Sequence, residues 1–221
     1  MPYYHKAGKF PEKRHIQFRK PNGELYSEEL VSTEGFSSIY SLVYHCHPPT
    51  LVKHIGEPID VAPKAAISNN MQNRSFITFK TEAKDDFLES RVIQLYNSDL
   101  YMAVAAPRKS MSDYFYKNAD ADEVIFIHEG SGYLQTLYGK INFEYGDYLV
   151  IPRGVIYQMH FNDSNNRLMI IESFSPIKPP KRYLNSMGQF LEHSPFCERD
   201  IKLPTDLETI DRSEERRVGK E

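Results

Sequence analysis

Apolar positions along this chain fall in short runs separated by Gly, Pro, Asn and Asp. Residues 92–96 (VIQLY) and 100–106 (LYMAVAA) open the series. A dense set follows at 123–128 (EVIFIH), 133–138 (YLQTLY), 141–145 (INFEY), 148–151 (YLVI), 155–161 (VIYQMHF) and 167–174 (RLMIIESF). Residues 141–145 alternate strictly between apolar and polar, the period of a half-buried strand. Turns are predicted at Gly130-Ser131-Gly132, Gly139-Lys140, Gly146-Asp147 and Pro152-Arg153-Gly154. Short strands at regular spacing with Gly-rich turns predict a mainly β fold, an antiparallel jelly-roll barrel with an irregular N-terminal β region and few helices. Only residues 84–91 (KDDFLESR) suggest a short turn of helix.

Composition narrows the function classes. The chain has 221 residues, 15 Tyr, 13 Phe and no Trp, so aromatic rings supply much of the burial that a mean hydropathy of -0.54 would otherwise deny it. Net charge is -3, from 27 Lys+Arg against 30 Asp+Glu. No global basic field draws in nucleic acid or an anionic membrane. Residues 13–20 (KRHIQFRK) form one short basic stretch, better suited to a solvated edge strand than to phosphate contacts. The longest apolar run, 100–106, is far too short to span a bilayer, and residues 1–10 lack the apolar core of a secretory signal. Cys46 and Cys197 stand apart, as reduced cytoplasmic thiols would. The expected organisation is an N-terminal β-rich segment at 1–90 packed on the barrel, a barrel at 91–182, and a connector at 183–211. Residues 212–221 (RSEERRVGKE) are charged and without aromatics, and are expected to be a disordered tail of non-native sequence after an interruption near Asp211.

The candidate chemistry is that of a metal-binding jelly roll. In the cupin pattern, HxH is followed by three or four residues, Glu, six residues and Gly. A second motif runs Gly, five residues, Pro-x-Gly, two residues, His. Here Glu123 precedes Gly130 at the right spacing, and Gly146 precedes Pro152-Arg153-Gly154. The scaffold is present but the ligands are not. The HxH positions fall on Tyr116 and Asn118, or on Lys117 and Ala119, and the second-motif His position is Tyr157. A lone carboxylate does not hold a transition metal, so the barrel is expected to be metal-free. His128 and His160 miss the motif positions and are expected to be packed or solvated. His45-Cys46-His47 runs into Pro48-Pro49 with no third ligand nearby, which suggests a structural loop. Asp120, Asp122 and Glu123 lack the spacing of a calcium loop and suggest a solvated one. Cys197 has no activating neighbour in sequence. Phosphate-loop, dinucleotide, nucleophile-elbow and HExxH strings are missing.

Longer strings carry a resemblance. MPYYHKAGKFPEKRHIQFRKPNGELYSEEL, STEGF, YHCHPPT, SDLYMAVAAPRKSMSDYFYKNADADEVIFIHEGSG, FEYGDYLVIPRG and SFSPIKPPKRY resemble the N-terminal part of homogentisate 1,2-dioxygenase, in its bacterial form. The resemblance runs from Met1 to about Asp211. It implies two cupin-like halves, of which this one binds no metal. The other half would carry Fe(II) on two His and one Glu, a set that leaves positions open for substrate and O2. The implied reaction opens the ring of homogentisate with O2 to give maleylacetoacetate, in tyrosine and phenylalanine catabolism. The implied assembly is a hexamer built from trimers. No catalytic, cofactor-binding or metal residue of the family maps onto this chain, so it is expected to be inactive alone. Nucleic-acid and membrane partners are not expected.

A second reading is a stand-alone, metal-free cupin that binds a small ligand or partner, with Phe143, Tyr145 and Tyr157 lining its cavity. On the first reading, a barrel built to pack on a second half exposes a docking face. That face is expected near residues 175–204 and should promote aggregation.

Overall fold

A computed structural model describes residues 17–32, 35–36, 40–49, 52–68, 70–204 and 217–220. Two strands, β1 (Ser27–Ser32) and β2 (Tyr40–His45), form an antiparallel hairpin. The barrel follows: β3 (Val92–Tyr96), β4 (Leu100–Ala105), β5 (Phe115–Asn118), β6 (Asp122–Glu129), β7 (Gly132–Thr136), β8 (Gly139–Phe143), β9 (Tyr148–Ile151), β10 (Ile156–Phe161) and β11 (Arg167–Ser173). One sheet has the order β3-β4-β11-β6-β9. The other has β5-β10-β7-β8, with β12 (Arg217–Lys220) on its β5 edge. Later strands insert between earlier ones, and the barrel strands all pair antiparallel, which is the nested order of a jelly roll. The mainly β expectation holds. The only helical turns among the described residues are three short 3-10 turns.

Alternation sends one side chain in two into the barrel. Ala103, Ala105, Ile125, Ile127, Leu168 and Ile170 enter from the first sheet, and Leu134, Phe143, Tyr157 and Met159 from the second. Phe87, Met111 and Tyr114 join the same core from outside the strands. Tyr157 and Met159 are fully buried, so the interior is packed rather than hollow.

Three local expectations are corrected. Residues 84–91 are not helical but make hydrogen-bonded turns held by the Asp86 carboxylate, whose Oδ1 accepts from the backbone N–H of Leu88 and Glu89. The turn placed at Gly139-Lys140 lies two residues earlier: Thr136 pairs with Gly139, and the Tyr138 N–H donates to Thr136 Oγ1. Tyr145 therefore lies beyond β8 and is exposed. In the tail, residues 217–220 pair in parallel with β5 instead of lying free. An open strand edge accepts any extended backbone, because the ladder is made by main-chain groups.

The two outer faces differ in kind. On the β5-β10-β7-β8 sheet the outward positions are mostly polar, Lys117, Gln158, His160, Gln135, Lys140 and Asn142, with Phe115, Ile156 and Tyr133 among them. On the other sheet, register aligns two apolar rows. Val92, Val104, Met169, Phe126 and Tyr148 form one. Leu95, Met102, Ile171, Val124 and Val150 form the other.

Candidate functional site: an arginine–carboxylate centre inside the barrel

Inward alternation brings Tyr116 and Asn118 from β5, and Tyr157 from the neighbouring β10, into the barrel, where Glu123 faces them from β6 on the opposite sheet. The HxH positions are thus Tyr116 and Asn118, both buried, while Lys117 turns outward. All four motif positions sit in one polar centre. Its organiser is Arg91, the residue just before β3. Arg91 Nη2 donates to Glu123 Oε1 at 2.7 Å and to Glu172 Oε1 at 2.9 Å. Arg91 Nη1 donates to the Tyr116 hydroxyl at 3.4 Å. The Tyr157 hydroxyl donates to Glu123 Oε2 at 2.8 Å, and Asn118 Nδ2 to Glu172 Oε2 at 3.1 Å. The guanidinium also lies over the rings of Phe87 and Tyr116, 5.6 and 5.7 Å from their centroids.

Electrostatics explain the arrangement. Glu123 and Glu172 are directly opposed across β6 and β11, and two like charges in that position repel. Both are nearly inaccessible to water. A buried carboxylate needs a cation or several donors, and the planar fork of an arginine supplies both. Burial alone would lower the Arg91 pKa, but Glu123, the Tyr116 hydroxyl and Glu172 outweigh it and hold the group above its ordinary value. Burial, then Glu123, pushes the Tyr157 phenol well above its ordinary range, so it remains a donor.

The turn before Arg91 fixes its position. Ser90 and Phe87 are completely buried, and the Ser90 hydroxyl donates to the Phe87 carbonyl. Asp86 Oδ2 accepts from the Tyr114 hydroxyl at 2.6 Å, tying the turn to the loop that enters β5. Sequence reasoning found Tyr116, Asn118, Glu123 and Tyr157 but missed Arg91 and Glu172. One signal was available for Glu172. It follows Leu168 and Ile170 at inward alternate positions of an apolar strand.

These residues do not fit a transition-metal ion. Both oxygens of Glu123 are committed, the other three motif positions are two phenols and an amide, and a guanidinium stands among them. Among the described residues no three His, Cys, Asp or Glu side chains gather as ligands would.

The other candidates separate. Asp122 and Glu123 are not in a solvated loop: both lie in β6 and are buried, because arginines and backbone donors satisfy them. Asp122 accepts from the backbone N–H of Arg153 at 2.9 Å and of Ile177 at 2.7 Å, which clamps the Pro152-Arg153-Gly154 turn and the proline-rich exit of the barrel. His45 ends β2 and meets Glu29 Oε2 at 2.7 Å across the hairpin, the contact of a structural histidine. His128 packs edge-on against Phe79 and Phe126, and His160 stacks on Tyr133 at 4.4 Å. Cys46 and Cys197 are free and half-buried. Of the basic stretch, residues 13–16 lie outside the described residues. A shallow, open depression on the surface is lined by His128, Tyr145 and Asp163, among others.

Fold and centre together define a cupin-type barrel in which an arginine ion cluster occupies the ligand positions. The chain belongs to the homogentisate 1,2-dioxygenase N-terminal family, which matches it over residues 65–182. It is 36% identical over 211 residues, 96% of its length, to a Saccharolobus solfataricus protein whose name provisionally designates it a dioxygenase. The chain spans about half of that relative, 54% of its length. Among solved structures, a cupin superfamily protein from Desulfitobacterium hafniense is 16% identical with a TM-score of 0.40. That match covers 50% of this chain and all of the other. A cupin-2 domain protein from Shewanella frigidimarina is 24% identical with a TM-score of 0.34, covering 38% and 79%.

Proposed function

We propose that this chain is the N-terminal part of a homogentisate 1,2-dioxygenase, the enzyme that opens the ring of homogentisate with O2 to give maleylacetoacetate. On this reading the chain supplies the metal-free half of a longer protein. The iron, the substrate contacts and the proton-transfer groups reside in the other half, and this chain is inactive alone. The proposed assembly is a trimer-based hexamer. The observation that carries the reading is the Arg91–Glu123–Glu172 centre: it keeps the shell of a metal site while satisfying its remaining carboxylate internally. The family match over 65–182 supports the choice of reaction. The stand-alone ligand-binding reading is not favoured, since Tyr157, Met159 and Phe143 fill the interior and Tyr145 lies outside it.

The test is direct. The purified chain is incubated with Fe(II), homogentisate and O2, and maleylacetoacetate is followed beside a full-length parent enzyme. No product from this chain and turnover by the parent is the expected result. Ring opening by the 221-residue chain alone would overturn the proposal.

A further inference from the structure

Antiparallel sheets that face water on one side alternate apolar-in and polar-out. The β5-β10-β7-β8 sheet mostly follows that rule, with Phe115, Ile156 and Tyr133 as its outward apolar positions, whereas the β3-β4-β11-β6-β9 sheet breaks it across all five strands. Its two rows place ten apolar side chains outward across all five strands, without a charge among them. At strand spacings of about 4.8 Å, each row runs roughly 20 Å. The edge positions Val92, Leu95, Tyr148 and Val150 are exposed, by 43%, 49%, 63% and 53%. Phe79, itself half exposed, extends the patch at the His128 corner. Such a patch on one sheet face is large for an isolated protein and marks a covered surface. Within 175–204, the stretch expected to carry an exposed apolar face, Met187, Leu191, Ile201 and Leu203 are exposed; the sheet adds a second apolar surface, aligned by strand register.

We infer that this outer face seats the remainder of the same polypeptide, the portion by which the Saccharolobus solfataricus relative exceeds this chain. The inference rests on the proposed function, in which the chain is one half of a longer protein. Two observations select this occupant. The chain spans 54% of that relative, so an absent body of nearly equal length is available. The two aligned rows are wide and free of charge, which matches a permanent intramolecular contact; transient partners are met by more polar surfaces.

The experiment is thiol labelling. Val150→Cys, on edge strand β9, and Asn142→Cys, on the polar outer face, are each placed in this chain and in the full-length parent, both conservative surface changes. With a maleimide probe, Val150→Cys is expected to react at least about tenfold more slowly in the parent than in this chain, while Asn142→Cys reacts equally in both. Equal rates for Val150→Cys would overturn the inference and leave the proposed function standing. Slowing within this chain that grows with its concentration, together with a dimer mass, would overturn it in favour of a second copy. A reading frame that closes at this length would instead remove the underlying function, and sequencing reveals that before any labelling.

Discussion

Replacing Arg91 with Met tests the centre most directly. The change keeps an unbranched apolar stem and removes the guanidinium. Three hydrogen bonds are lost, at 2.7, 2.9 and 3.4 Å, and two opposed carboxylates are left buried without a cation. Removing one partner of a buried ion pair costs about 3–5 kcal/mol, and this arginine serves two partners. A domain is stable by only about 5–15 kcal/mol, so a large share of its stability is at stake. The assay is denaturant unfolding, with midpoint and slope read together. Arg91→Lys should be intermediate, because an ammonium restores charge but not the two-armed geometry. A loss below about 1 kcal/mol for Arg91→Met would contradict this account of the centre.

Two further outcomes follow from the same geometry. The phenols of Tyr114, Tyr116 and Tyr157 are raised above their ordinary pKa, chiefly by burial, so the stability they hold is whole below about pH 10 and lost as pH climbs through their folded values. Phenolate absorbance should show these three ionising only as the barrel unfolds; smooth titration of all 15 tyrosines around pH 10 would contradict this. Gly130→Ala should destabilise by about 1–3 kcal/mol from backbone strain alone, since Gly130 has φ +102°. The new Cβ would also collide with the Asn166 side chain, which is buried and donates to the Pro107 carbonyl at 3.0 Å. A variant melting within a degree of wild type would rule that out.

How far sequence carries here depends on chain separation. The turn glycines and the spacing from Glu123 to Gly130 are local, and they located the barrel and four members of its centre. Arg91 was not legible. Its partners lie 32 and 81 residues away, and nothing near residue 91 marks it as different from a surface arginine at a turn. The acidic run at 120–123 looked solvated for the same reason, the arginines that meet Asp122 and Glu123 lying far off in the chain, at Arg153 and Arg91. The apolar outer face was half legible. Runs such as 124–127 and 168–171 are apolar without alternation, which signals a strand covered on both sides. Only the register of five strands shows that these runs align into one surface.

A cation borne by the chain differs from one that must be acquired. Arg91 arrives with synthesis and stays attached for the life of the molecule. No chelator can strip it, no competing ion can take its place, and no change of oxidation state can loosen it. The barrel's interior can therefore close during folding without waiting on metal supply, and iron scarcity should leave its shape untouched.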